Sequence, residues 1–304
     1  MWLHVLGAAA GGGLPQWNCA CTNCVAARSC SPLVTPRSQS QLAVSGDGCS
    51  WYLVNASPDL RDQLLRNPKL HPHSEQGLRN TPISGVVLTS ADLDHTLGLL
   101  LMREFTPVSI YSTAGVRAVL STNPFFSMLD RVPGQSQWGV LPTGTPIVLD
   151  GNLKVTMVRL PGKPPAYVSD EWRKQLDSED MTVGLILEAT NGRRAAYFPA
   201  LPALSKETLS LFETCQVVLA DGTFWSESEL QSLQAGTPSA TEMGHIPIGG
   251  DTGSLRALSN LSHARSIYTH INNTNPVLDE SSPQHRVVLE AGCEIAFDGM
   301  EINL

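Results

Sequence analysis

Charged residues are scarce in this chain. They make up 16% of its 304 residues, against ~25% in ordinary soluble domains. The basic ones are scarcer still, 20 Lys and Arg against 28 Asp and Glu, for a net charge of −8. That balance excludes non-specific nucleic-acid binding, which needs a basic surface. No stretch of ~20 apolar residues is present, so no membrane span is expected. Low-complexity tracts and internal repeats are absent too. The segment Met1-Trp2-Leu3-His4-Val5-Leu6-Gly7 lacks both a basic n-region and a long apolar h-region. A secretory signal is therefore not expected, and a cytoplasmic location is. Gly7 to Gly13 lack the Gly-x-Gly-x-x-Gly spacing and no Gly-Lys-Ser/Thr follows, which leaves no flavin or nicotinamide fingerprint. The seven cysteines are odd in number, and three fall within six residues. A paired disulfide framework would be spread more evenly. A metal-bound cluster in a reducing compartment fits better.

What is present is apolar and turn-rich. The hydrophobic share of 42% supplies one large core and excludes disorder as the dominant state, while 25 Gly and 21 Pro provide many turns. Residues 1–304 are read as a single domain with a cysteine-rich loop at about 11–30. Strands are expected at 2–6, 83–89, 107–111, 147–149, 153–160, 182–189, 195–198, 216–220 and 265–269. A hairpin is expected over 38–46 and 51–55, and a strand pair near 293–303. Ser57-Pro58-Asp59 predicts a helix start, with Ser as N-cap, Pro in the first turn and an acid on the positive dipole end. That helix runs to about Arg66, where Asn67-Pro68 stops it. Further helices are expected at 96–103, 114–121, 205–212, 252–261 and around 281–291. Strand-rich stretches alternating with short helices through both halves predict an α+β class, an αββα four-layer sandwich. The loops at 69–82 and 161–181 are candidates to cap a pocket.

Three apolar strands end in ligand-type side chains. Ser90-Ala91-Asp92-Leu93-Asp94-His95 follows the first, Asp221 ends Val217-Val218-Leu219-Ala220, and His270 ends Ser266-Ile267-Tyr268-Thr269. Carboxylate plus imidazole is the donor set for zinc, iron or manganese. Each piece has a plainer reading: an acidic helix N-cap for Asp92 or Asp94, an Asp-Gly turn for Asp221, a structural imidazole for His270. Together they line one mouth of a sheet. His245, in Met243-Gly244-His245-Ile246-Pro247, adds an imidazole on a loop, as a general acid, a substrate contact or a plain loop residue. Cys19-x-Cys21-x-x-Cys24 puts three thiolates on one tight loop, a structural-zinc signal. Its fourth ligand stays open among Cys293, Asn273, a nearby histidine and water. Cys30, Cys49 and Cys215 are isolated thiols.

The order and spacing resemble the metallo-β-lactamase fold superfamily. In its first motif, His-x-His-x-Asp-His, Ser90 and Asp92 stand where the first two histidines belong. Asp94 and His95 match the aspartate and the last histidine, Asp221 the bridging aspartate, and His270 the final histidine. No middle histidine is found near 190–200. The resemblance thus implies that one metal site of a dinuclear centre is dismantled and the other kept. Asp94, His95 and His270 then form the two-imidazole, one-carboxylate set of non-haem Fe(II) oxygenases. Asp92 and Asp221 add ligands or support, and His245 lies near substrate.

A closer resemblance covers almost the whole chain. It rests on residues 11–24, 35–40, 55–60, 92–100, 220–225, 243–248 and 269–276, and points to the pyrroloquinoline quinone biosynthesis protein B family. It implies a cytoplasmic protein acting on a Glu–Tyr cross-linked intermediate cut from a ribosomal peptide. Two activities are attached to that resemblance: iron- and O2-dependent hydroxylation of the tyrosine ring, and carriage of the finished quinone towards the periplasm. A zinc-dependent hydrolase is the superfamily's own alternative. Fe(II), which zinc can replace, and a structural zinc are the implied metals. Arg37, Arg61, Arg103 and Lys163 are candidates to neutralise substrate carboxylates. A homodimer is left open.

Overall fold

The structure, a computed structural model, describes residues 1–104, 106–176 and 180–304. Its strands, in chain order, are β1 (Trp2–Gly7), β2 (Gln41–Ser45), β3 (Trp51–Val54), β4 (Ile83–Val87), β5 (Val108–Ser112), β6 (Ser136–Val140), β7 (Ile147–Leu149), β8 (Leu153–Leu160), β9 (Thr182–Glu188), β10 (Arg194–Phe198), β11 (Val217–Asp221), β12 (Arg265–Thr269), β13 (Glu294–Ile295) and β14 (Glu301–Asn303). The chain forms two compact units.

The first unit comprises residues 1–6, 41–192 and 299–304. Its sheet has the order β14-β1-β2-β3-β4-β5-β6. The β2–β3 hairpin is antiparallel, and β3 through β6 run parallel. Parallel strands buried on both faces need near-continuous apolar runs, as Val86, Val87 and Leu88 supply. Leu53, Val86, Ile110, Val116, Leu120, Phe126 and Leu129 belong to one buried cluster. β7, β8 and β9 form an antiparallel group in the same unit.

The second unit comprises residues 7–40 and 193–298. β10, β11, β12 and β13 run parallel, with Phe198 meeting Phe212 edge-on at 4.9 Å between ring centroids. No helix among the described residues is long and apolar enough to cross a membrane.

Several expected elements differ in detail. The helix expected from Ser57 begins at Leu60, because the Ser57 hydroxyl is engaged earlier, donating to Gln63 Oε1 at 2.9 Å and accepting from Asp59 N–H at 3.1 Å. The helix expected at 96–103 is a short α-turn at Leu93–Thr96 followed by 3₁₀ winding over Leu97–Met102. Gly98 explains the tight passage: a Cβ there would lie 2.3 Å from the Ser57 carbonyl oxygen, and its N–H donates to Ala56 O at 2.9 Å. The helix Thr22–Arg28 and strand β6 were not expected. The first lies inside the cysteine motif; the second, Ser-Gln-Trp-Gly-Val, carries too little apolar alternation to read as a strand. Of the expected loop at 161–181, residues 177–179 lie outside the described residues.

Candidate metal centres

In the first unit, β4 leads through buried Thr89 and Ser90 into the turn that carries Asp92, Asp94 and His95. Asp92 occupies the N-cap position of Leu93–Thr96, yet its side chain makes no capping bond. Instead its Oδ2 accepts the Ser90 hydroxyl proton at 2.7 Å. Ser90 Oγ lies 2.8 Å from His95 Nδ1. Asp94 Oδ2 lies 3.9 Å from His95 Nε2. The His95 backbone is anchored where its carbonyl accepts from Ala56 N–H at 2.7 Å. Tyr167, in the loop expected to cap a pocket, donates its hydroxyl to Ala91 O at 2.5 Å. Burial, with the Asp92 charge beside it, pushes that phenol's pKa up, so it stays a donor. No sequence motif flagged Tyr167; its loop composition hides it.

In the second unit, Asp221 ends β11 fully buried and His270 follows β12. His270 adopts φ 56°, left-handed backbone that is uncommon outside glycine and costs of order 1–3 kcal/mol. Asp221 uses all four acceptor positions on protein donors. Oδ1 accepts from Thr223 N–H at 2.9 Å and Thr223 Oγ1 at 2.6 Å. Oδ2 accepts from Leu201 N–H at 2.8 Å and His245 Nδ1 at 2.7 Å. The rings of His245 and His270 stack at 5.3 Å with 20° between planes, and Phe224 meets His245 edge-on. Asp221, His245 and His270 place one donor atom each within 4.8 Å of one another. Thr223, which the sequence reading passed over, sits at their centre: its Oγ1 is 2.8 Å from His270 Nδ1 and 3.0 Å from His245 Nδ1.

The cysteine loop is also in the second unit. The sulfurs of Cys19, Cys21 and Cys24 lie within 4.8 Å of one another, compatible with an ion ~2.3 Å from each. Asn273 faces all three: its Nδ2 is 3.1 Å from Cys19 Sγ, 3.6 Å from Cys21 Sγ and 3.2 Å from Cys24 Sγ. Cys293, one of the four candidates for the fourth ligand, is buried beside β13 and does not belong to this trio. Burial pushes its pKa up to about 11. Burial also takes the Cys21 thiol to about 11. At Cys19 burial acts the same way, but hydrogen bonds from the Cys21 N–H, the neighbouring thiols and Asn273 outweigh it and lower the pKa. Three thiols this close together are a donor set that a divalent cation satisfies by displacing their protons. Asn23 Nδ2 ties the loop to the Asn273 and Asn275 carbonyls at 3.0 and 2.9 Å.

The basic candidates are placed differently. Arg37 is buried near Asp298 and Glu280; burial lowers its pKa and those two carboxylates oppose the shift. Arg61 pairs with Asp62 at 3.2 Å on the surface, and Arg103 donates to Leu100 O at 3.1 Å.

Glu229 bridges the loop after Thr223 to the loop after His270. It accepts from Trp225 N–H and from Thr274 Oγ1, each at 2.6 Å. Burial raises its pKa to about 7 against these bonds, from the ordinary 4.5. A carboxyl raised in the folded state stabilises fully below its unfolded pKa, and that contribution is lost as pH rises through the folded value. Stability from this group therefore falls between pH about 4.5 and about 7. Glu229→Gln should flatten the melting-temperature profile over that window; an unchanged slope would remove Glu229 from the account.

Residues 50–271 match the β-lactamase superfamily domain. The chain is 41% identical over 305 residues to coenzyme PQQ synthesis protein B of Methylobacterium radiotolerans, covering 100% of both chains. It is 42% identical over 309 residues to the protein of that name from Methylococcus capsulatus, again covering 100% of each. The crystal structure of Zn²⁺-bound PqqB from Methylobacterium extorquens superposes with a TM-score of 0.93 at 38% identity, over 100% of both chains. A diphosphatase of the PhnP family shares the fold at TM-score 0.68 and 21% identity, over 99% of this chain and 96% of its own.

Proposed function

The chain belongs to the coenzyme PQQ synthesis protein B family and has the metallo-β-lactamase fold, an α+β architecture, and from that premise we propose a mononuclear iron oxygenase of PQQ synthesis. Asp94, His95 and His270 hold Fe(II), which zinc can replace. Bound there, the ion supplies the O2-activating chemistry of a two-histidine, one-carboxylate centre. The substrate is the tyrosine-derived ring of a Glu–Tyr cross-linked intermediate from a ribosomal peptide. One oxygen atom of O2 would enter the ring C–H bond as a hydroxyl and the other would leave as water, with two electrons from an external reductant and two protons from reductant or solvent.

One observation carries this reading over a two-metal hydrolase. A dinuclear mechanism needs a bridging carboxylate and a second set of ligands. All four acceptor positions of Asp221 are taken by Thr223, Leu201 and His245, and Ser90 and Asp92 stand where two histidines are required. Asp221 orients His245 rather than bridging ions, and His245 faces substrate as a proton donor or acceptor. Tyr167 steadies the turn that bears Asp94 and His95. The Cys19–Cys21–Cys24 loop with Asn273 holds a structural zinc. The protein works in the cytoplasm.

The test is anaerobic Fe(II) reconstitution, then O2 uptake and product mass with a tyrosine-derived substrate and reductant. The expected product is heavier by one oxygen atom, with ¹⁸O from labelled O2. Tight quinone binding without turnover would favour a carrier, and phosphodiester cleavage with added zinc a hydrolase.

A further inference from the structure

Each unit contains a carboxylate, a hydroxyl and an imidazole in series. In the first, Asp92 Oδ2, Ser90 Oγ and His95 Nδ1 are linked at 2.7 and 2.8 Å. In the second, Asp221 Oδ1, Thr223 Oγ1 and His270 Nδ1 are linked at 2.6 and 2.8 Å. Ser90, Thr223 and both histidines are buried.

A hydroxyl has one proton to give and two lone pairs to accept with. The carboxylate has none to give. Ser90 therefore donates to Asp92, and its Oγ accepts from the Asp92 N–H at 3.2 Å as well as from the His95 ring. Thr89 Oγ1, at 3.4 Å from the same ring nitrogen, gives its own proton to Asn55 Oδ1 and is likewise only an acceptor there. Thr223 Oγ1 has two oxygens that can only accept within reach, Asp221 Oδ1 at 2.6 Å and the His270 carbonyl at 2.9 Å, so its one proton goes to an oxygen and not to the ring. In both cases the ring nitrogen facing the hydroxyl must carry the hydrogen.

We infer that Ser90 and Thr223 are positioning residues that lock His95 and His270 in the Nδ1–H tautomer, placing each ring's lone pair on Nε2. The consequence for metal binding rests on the ligand assignment proposed above; the tautomer lock itself does not. Ser90 is then no eroded ligand position. It converts the charge of Asp92 into a fixed orientation of the neighbouring imidazole, as the partner of a metal-bound histidine does. Threonine and serine serve where a carboxylate in direct contact would leave the ring more basic.

The test uses full-length, metal-free protein labelled with ¹⁵N-histidine at pH about 8.5, above the ordinary histidine range. Two-bond ¹H–¹⁵N spectra distinguish the tautomers. His95 and His270 are expected as Nδ1–H in the unsubstituted chain. Ser90→Ala should loosen His95 alone, leaving only the longer acceptor Thr89 at 3.4 Å, and Thr223→Val should release His270 alone, each towards a mixture with Nε2–H, while Ser90→Thr and Thr223→Ser restore the lock. Nε2–H rings in the unsubstituted chain, or rings indifferent to Ala and Val, overturn the inference. The unsubstituted spectrum decides even if a variant misfolds. Fe(II) titration is the second readout: affinity should fall roughly 10–100-fold in the Ala and Val variants and recover in the conservative ones. A tautomer change without an affinity change upholds the lock and removes His95 or His270 from the ligand set instead.

Discussion

His270→Ala should leave the protein without reconstitutable iron and lower hydroxylation by at least about 100-fold, a first ligand weighing no less than its hydrogen-bonded supports. The substitution also changes the backbone. Position 270 sits at φ 56°, where alanine is strained and asparagine is tolerated. His270→Asn should therefore keep more of the folding stability than His270→Ala while losing the same activity. Equal melting temperatures with equal activity loss would show that the left-handed turn costs little. Full activity in either variant would remove His270 from the centre.

Removing the zinc proposed for the cysteine loop should also cost stability. The helix Thr22–Arg28 has seven residues, too few to persist without tertiary support. Its N-terminal turn is organised by sulfur, with Cys21 Sγ accepting from Cys24 N–H. Cys24→Ser, or a strong chelator, should lower zinc content by one equivalent and the melting temperature by roughly 10 °C, several kcal/mol at about 2–4 °C each. Asn273→Ala should weaken zinc retention, because its carboxamide faces all three sulfurs. Cys293→Ser should leave zinc in place. Activity should fall along with the zinc, since Asn273 lies three residues beyond His270 on one loop. Zinc retained in Cys24→Ser and lost in Cys293→Ser would reverse the assignment.

Much of this was legible in the sequence because it depends on short-range pattern. Apolar runs such as Val217–Ala220 and Ser266–Tyr268 read as buried strands, and their polar ends as site positions. The cysteine spacing reads directly as a metal loop. What stayed hidden depends on packing. Gly98 breaks an apparently regular helix because its neighbour is a backbone carbonyl. Arg37 looks like a substrate clamp until its burial near Asp298 and Glu280 is known. The choice of Asn273 over Cys293 beside the sulfurs needs the fold, since thiol chemistry alone favours the cysteine. Ser90 and Thr223 carry no motif of their own; a hydroxyl becomes informative only once its neighbours on both sides are known.

The most direct test is anomalous diffraction at the iron edge from crystals of protein reconstituted and grown without oxygen. One iron peak is expected, bonded at ~2.0–2.2 Å to an Asp94 carboxylate oxygen and to Nε2 of both His95 and His270, with coordination positions left for O2 and substrate. A peak ligated through Asp221 and a second ion beside it, or iron bound without His95 and His270, would contradict this assignment.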